Sequence, residues 1–188
     1  QSLKSLTGRE STSIIADLSS QEEVKRAASE FLSMNKPLNI LLNNAGIINT
    51  SRKETVDGLE EVFSVNHLAY YSFTLMLINK LIESGPSRVV NVASGAHMFV
   101  KDMNFDDLQS EKEYKTMQVY GRSKLANILF TRELAEKLEG KGVTVNCLHP
   151  GFVNTGIGSN NSPTIGRILM ALARPFSRKT DRGAETSI

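Results

Sequence analysis

Short continuous apolar runs alternate along the chain with stretches of helical period, and that alternation sets the expected architecture. After polar residues 1–11, read as a frayed helix end closed by Gly8, Thr12-Ser13-Ile14-Ile15-Ala16 reads as a short buried strand ending at Asp17. Ser19-Ser20-Gln21-Glu22-Glu23 supplies a cap and an acidic first turn for a helix to about Met34. Val24, Ala27, Ala28, Phe31 and Leu32 mark its apolar face, and Asn35-Lys36-Pro37 breaks it. Leu38 to Leu42 is a second strand, running into Asn43-Asn44-Ala45-Gly46. A polar loop then leads to a long helical region from about Val56 to Glu83. Phe63, Val65, Leu68, Tyr71, Leu75 and Ile78 mark its apolar positions, and Gly85-Pro86 stops it. Arg88 to Val92 is a third strand, followed by Ala93-Ser94-Gly95 and an insertion that is acidic from Asp102 to Glu113. A helix from about 115 to Glu139 ends at Gly140-Lys141-Gly142, and Val143 to Leu148 is a fourth strand closed by His149-Pro150-Gly151. Strands alternating with helices of these lengths predict βαβ crossovers and a parallel sheet, an α/β fold.

At 188 residues the chain suits one domain, 1–188, with no internal linker or repeat. A net charge of +2 gives no electrostatic footprint for nucleic acid. The lone Cys147 cannot form an internal disulfide. No apolar run reaches the roughly 18–20 residues of a membrane span, and the start does not resemble a signal peptide. The first residue is Gln1, so the chain is expected to begin inside a longer one.

Tyr120 and Lys124 stand four residues apart, which puts phenol and ammonium on one helical face. A cation there is expected to pull the tyrosine below its usual pKa, as a general acid/base for an alcohol or ketone requires. Taken alone, the pair reads equally as a packed phenol beside a snorkelling lysine. Parallel sheets bind ligands beyond the carboxyl ends of their strands, where Asp17, Asn43 to Gly46, Ser94 and Pro150-Gly151 fall. Small and polar residues there let a flat cofactor approach the backbone, although each singly also suits ordinary loop chemistry. His67, His97 and His149 have no ligand-like spacing, so no metal is expected.

With these residues assembled, the chain resembles the short-chain dehydrogenase/reductases. The matching motifs are Asn43-Asn44-Ala45-Gly46, Asn66 within Ser64-Val65-Asn66-His67-Leu68, Ser94, Tyr120-x-x-x-Lys124 and Pro150-Gly151-x-x-x-Thr155. Ser94-x-Ala96-His97, Ser123-Lys124-Leu125-Ala126-Asn127 and Leu148-His149-Pro150-Gly151 are similar to the retinol dehydrogenase and WW-domain oxidoreductase branch. Ala69-Tyr70-Tyr71 departs from the Gly-His-Phe usual in its vertebrate members, and Ala93 replaces a common serine; both bear on substrate more than on chemistry.

The resemblance implies a Rossmann-like doubly wound parallel sheet. It implies hydride transfer between NADP(H), with NAD as the alternative, and a small lipophilic alcohol or carbonyl such as a retinoid. Tyr120 would exchange the substrate proton, Lys124 would lower its pKa and bind the nicotinamide ribose, Ser94 would hold the substrate oxygen, and Asn66 would hold a relay water. Asp17 would bind the adenine amino group, with Leu18 beside it on the cofactor, and Asn44, Ala45 and Gly46 would line the adenosine side. Val153 and Thr155 would meet the carboxamide, and Pro150 and Gly151 would also bind the cofactor. Residues 156–178, with Ile165, Ile168, Leu169, Leu172 and Phe176 on one helical face, match a substrate-covering lid. With Arg167, Arg174, Arg178 and Lys179 they could instead touch a membrane; the lid is favoured.

The family's Thr-Gly-x-x-x-Gly-x-Gly fingerprint is not in this sequence, and the chain stops at Arg182-Gly183-Ala184-Glu185 and its last few residues, before the family's final strand. A fragment is therefore expected, lacking the first two strands and the last, with an exposed strand edge and poor dinucleotide binding on its own. The alternative is a non-catalytic binding or regulatory fragment; a nucleotide-sugar epimerase is disfavoured by the Ser94-x-Ala96-His97 text. Helices around 56–83 and 115–139 are where the family associates, so a homo-oligomer is expected. The expected location is the cytoplasm or the cytoplasmic face of an intracellular membrane, with any anchor in a preceding segment.

Overall fold

A computed structural model describes residue 8 and residues 10–151. Val153, Thr155, the segment 156–178 and the stretch 182–185 lie outside the described residues. Three parallel strands, β1 (Ile40–Asn43), β2 (Ser87–Val92) and β3 (Val143–Leu148), form a sheet in the order β1-β2-β3. The register pairs Leu41 with Val89 and Val89 with Val145. Four α-helices accompany it among the described residues: α1 (Gln21–Ser33), α2 (Glu61–Phe63), α3 (Ala69–Glu83) and α4 (Thr116–Lys137).

Strand residues alternate between faces, and here the two faces differ. Leu41, Val89, Val143 and Val145 turn inward and pack with Ala28 of α1, Leu77 and Leu81 of α3, and Leu134 of α4. On the opposite face Ile40 is 60% exposed and Leu42 45%. A second helical layer, as in a doubly wound fold, is not among the described residues. The free edge of β1 likewise has no ladder partner among them.

The helix after the first turn begins where the caps predict: Ser20 takes the N-cap position and its hydroxyl accepts from Glu23 N. Three expectations are corrected. Residues 12–16 are not a strand: only side chains reach them, Arg26 donating to Ile15 O and Lys36 to Thr12 Oγ1, and Ile15 is 87% exposed. A strand exists only where its amides find a ladder, and none lies beside them among the described residues.

The long helix does not start near Val56. Residues 55–59 form a turn in which Gly58 takes φ +73°, and Glu54 bridges antiparallel to Glu60. Helix α2 begins at Glu61, capped by the buried Glu60 carboxylate, which accepts from Val62 N and Phe63 N at 2.9 and 2.6 Å.

The third correction is one of face. Between α2 and α3 the turn Ser64–Leu68 is a π turn, in which Ala69 N donates to Ser64 O, five residues back. One extra residue shifts the buried stripe, so α3 buries Ala69, Tyr70, Thr74, Leu77 and Leu81. Tyr71 and Leu75, expected inside, are 44% and 39% exposed.

The insertion after β2 contains two 3₁₀ turns, Gly95–Phe99 and Phe105–Asp107. It is tied down at its far end. Arg52 Nε donates to Gln109 O, Glu60 N donates to Gln109 Oε1, and Met103 packs with Phe63 and Ala126.

Candidate active site

The carboxyl ends of β1 and β2, the π turn and the first turns of α4 meet at one place. Each strand end is held by buried amides. Asn43 Nδ2 donates to Thr74 Oγ1 of α3 and to Asn91 Oδ1 of β2, at 2.9 and 2.7 Å. Asn91 Nδ2 in turn donates to Thr131 Oγ1 of α4 at 2.9 Å. Buried polar groups that are all partnered rigidify a site, and this chain fixes both strand ends against two helices.

Asn66 is fully buried within the π turn. Its Oδ1 accepts from Ile47 N at 2.8 Å, and its Nδ2 donates to Ile47 O and to Ser123 Oγ, both at 3.0 Å. The side chain thereby clasps the exit of the Asn44–Gly46 turn and ties it to α4. Its main-chain carbonyl accepts from Asn127 Nδ2 at 2.8 Å, and Asn127 Oδ1 pairs with His67 Nδ1 at 3.0 Å. Burial holds His67 below its usual pKa.

Lys124 is 3% exposed, and its Nζ donates to the carbonyl of Val92, the last residue of β2, at 3.0 Å. The ammonium lies 5.7 Å from the centroids of both the Tyr120 and Tyr70 rings. Burial brings its pKa down to about 8. A Cβ placed on Gly46 would sit 3.4 Å from both Asn66 Oδ1 and Lys124 Nζ, so this turn approaches the lysine without room for a side chain.

Tyr120 is half-buried and hydrogen-bonded to Ser94. Its pKa is raised, not lowered as its helical spacing suggested: burial pushes the phenol up, and the Ser94 hydrogen bond opposes this only in part. The Lys124 ammonium, directed at the Val92 carbonyl, lies over the ring and brings no compensating drop. Spacing reveals the neighbour but not the desolvation, which is the larger effect here.

Ser94 has an extended backbone, its Oγ accepts from Ala96 N at 3.2 Å, and His97 Nδ1 pairs with its carbonyl at 2.7 Å. The structure thus brings Ala45, Gly46, Asn66, Ser94, Tyr120 and Lys124 together. Asn44 is exposed at the end of β1. Asp17 is apart from this group in its bonding: its Oδ1 accepts from Ser19 N and Ser19 Oγ at 2.9 and 2.8 Å, which lowers its pKa, and Leu18 follows half-buried. Pro150 and Gly151 close β3, with Gly151 at φ +78° and its N–H on His149 Nδ1.

Four residues of this neighbourhood receive no role in the site from the sequence reading: Tyr70, Gly121, Ser123 and Asn127. Only Gly121 carried a signal, since a glycine inside a helix costs about 1 kcal/mol relative to alanine and needs a packing reason. The reason is contact between α4 and the turn after Ser94. A Cβ at Gly121 would lie 2.6 Å from the carbonyl oxygen of Ala96 and 3.1 Å from Val100 Cγ1. Gly121→Ala is therefore expected to destabilise by about 1–3 kcal/mol despite its better helix propensity, because backbone cannot yield cheaply. Urea denaturation measures this, and a variant as stable as the wild type would contradict the packing.

Whether a dinucleotide fits can be judged from these groups. A buried ammonium with one of its three protons on Val92 O and a phenol beside a serine hydroxyl suit the nicotinamide-riboside half, and the exposed Asn44-Ala45 turn at the strand ends leaves room for the adenosine side. The chain has no glycine-rich phosphate loop for the other half. Among the described residues no cluster of His, Cys, Asp or Glu is placed to hold a metal, and no helix is long and apolar enough to cross a membrane.

Comparison with known proteins agrees with this geometry. Mouse retinol dehydrogenase 12 is 45% identical over 172 residues, covering 92% of this chain and 54% of that protein. Human retinol dehydrogenase 14 is 45% identical over 174 residues, covering 92% and 52%. The chain spans about half the length of the curated relatives it matches. Among solved structures, a putative NAD(P)-dependent gluconate 5-dehydrogenase from Beutenbergia cavernae with bound NADP is 26% identical, with a TM-score of 0.64, covering 96% of this chain and 62% of the other. A short-chain dehydrogenase from Sphingobium yanoikuyae in complex with NADPH, at 20% identity and a TM-score of 0.73, covers 98% and 65% and shares the fold. The family model described as short chain dehydrogenase matches residues 1–166. The chain belongs to the short-chain dehydrogenase/reductase family, on the branch that carries the retinol dehydrogenases.

Proposed function

We propose that this chain carries the catalytic half of an NADP(H)-dependent oxidoreductase acting on a lipophilic alcohol or carbonyl. The observation that carries the reading is the grouping of Ser94, Tyr120 and Lys124 at the carboxyl ends of parallel strands. A bound nicotinamide would supply or accept the hydride. Tyr120, held as a neutral phenol by burial, is set to give its proton to a carbonyl oxygen, and as phenolate to take one from an alcohol. The Ser94 hydroxyl donates to the same substrate oxygen and stabilises the charge that develops on it. Lys124 provides the positive charge beneath them. Asn66 keeps the Asn44–Gly46 turn and α4 in register.

The lipophilic substrate is supported by the retinol dehydrogenase names of the relatives and by apolar side chains beyond Ser94. Met98 is 74% exposed and Phe99 65%. NADP is supported by the NADP bound to the structural relative from Beutenbergia cavernae. Exposed Tyr71 and Leu75 on α3, with Leu129 on α4, favour association between copies.

Calorimetric titration of the full protein with NADPH and with NADH, followed by turnover of a retinaldehyde, tests the reading. Tighter binding of NADPH and reduction of the aldehyde are expected. Binding of neither dinucleotide would overturn the proposal in favour of a non-catalytic binding fragment.

A further inference from the structure

We propose that Tyr70 is a positioning residue of this site with two separable tasks: its hydroxyl sets the Ala45 carbonyl, and its ring face holds the Lys124 ammonium charged. The assignment of Lys124 and of the turn to a dinucleotide site rests on the function proposed above; the geometry of Tyr70 does not. Tyr70 lies on α3 four residues after Asn66 and is 3% exposed. Its hydroxyl donates to Ala45 O at 2.6 Å, across 25 residues of sequence. That carbonyl belongs to the Asn44–Gly46 turn, whose far side Asn66 clasps through Ile47. The turn is thus held at two successive points by one helical segment, on either side of Gly46.

The ring has the second task. Lys124 Nζ stands 5.7 Å from the Tyr70 centroid, within the roughly 6 Å at which an aromatic face attracts a cation. Tyr120 flanks it at the same distance from its own helix. The groups facing the ammonium are these two phenols, from α3 and α4, the Val92 carbonyl at the end of β2, and the Asn66 amide beyond Gly46. No carboxylate is recorded against it among the described residues, so the ring faces and one carbonyl are what favour its charged form. Burial pushes the Tyr70 phenol well above its usual pKa, which keeps its hydroxyl a donor throughout the working range. A tyrosine kept only for packing would show neither bond nor cation.

Two variants of the full protein separate the tasks. Tyr70→Phe keeps the ring and removes the hydroxyl. Tyr70→Leu removes both, and Tyr70→Met replaces it if the leucine protein does not fold. Hydrogen exchange at the amides of Ala45 to Ile47 is expected to quicken about 2- to 12-fold in Tyr70→Phe, the effect of one lost hydrogen bond. The Lys124 pKa, followed by NMR of ¹³C-labelled lysine with Lys124→Met assigning the resonance, is expected to be unchanged in Tyr70→Phe. In Tyr70→Leu it should fall by about half a unit to one unit, because loss of the ring disfavours the charged form. Unchanged exchange in Tyr70→Phe would overturn the hydroxyl's task. Equal Lys124 pKa values in the phenylalanine and leucine proteins would overturn the ring's. Failure of the wild type to bind NADPH would defeat the functional reading while leaving both results about Tyr70 in force.

Discussion

Tyr120→Phe in the full protein is expected to lower kcat by about 10²- to 10⁴-fold, the usual contribution of a general acid/base, with dinucleotide binding retained. The substitution removes one oxygen and leaves the ring 5.7 Å from the Lys124 ammonium. It forfeits the hydrogen bond with Ser94, worth about 1 kcal/mol in stability. The effect on turnover should therefore far exceed the effect on folding. Steady-state kinetics beside calorimetric binding of NADPH makes the comparison. A phenylalanine variant within tenfold of the wild type would remove Tyr120 from the chemistry.

Lys124→Met should abolish turnover to a similar degree and, against the usual trend for core changes, stabilise the protein near neutral pH. The sign follows from the pKa. Lys124 falls from 10.5 to about 8 on burial, so the folded state resists its proton. Below about pH 8 the group is charged in both states, and the penalty on folding is fully present, about 3 kcal/mol. As pH rises from 8 toward 10.5 the folded lysine is already neutral and the penalty fades. Methionine escapes it, but it forfeits the bond to Val92 and the charge between two rings. The net gain is expected at about 1–3 kcal/mol at pH 7, shrinking as pH rises. Denaturation curves at pH 7 and pH 10 read both. A methionine variant less stable at pH 7, or a gap that ignores pH, would show that the buried charge carries no such cost. A site that retains a lysine against its own stability has a use for it.

The elements that obey one rule throughout were legible in the sequence. Strands β1 to β3 stood out as apolar runs, and α1 was marked by Ser20 and its acidic first turn. Misreadings arose where a rule changes partway. The segment 12–16 has strand chemistry, yet pairing depends on a neighbour that local sequence does not contain. The apolar count along 56–83 assumed one period, whereas the turn Ser64–Leu68 shifts it, so Tyr71 and Leu75 were placed on the wrong side. In the site, Tyr120 and Lys124 were visible through their spacing and Ser94 through its place after a strand. Asn127 and Tyr70 were invisible because their partners, the carbonyls of Asn66 and Ala45, lie 61 and 25 residues away. The direction of the Tyr120 shift was missed for a related reason. Sequence names a charged neighbour readily, but burial is a property of the whole assembly.

The wide turn at Ser64–Leu68 also makes chain length, rather than residue type, critical at this place. The π turn holds one residue more than an α-helical turn between the same two hydrogen-bonded ends, so excising a single residue here would leave the flanking helices facing much as before and displace the residues inside the turn. Asn66 grips the loop from the middle of this turn and Tyr70 grips it from the helix that follows; after the excision Tyr70 would still point at the loop and Asn66 would not. A deletion of one residue, leaving every named side chain present, should therefore disable the site as thoroughly as replacing one of its members. Lineages that keep this chemistry should tolerate changes of identity along the helix far better than changes in its count.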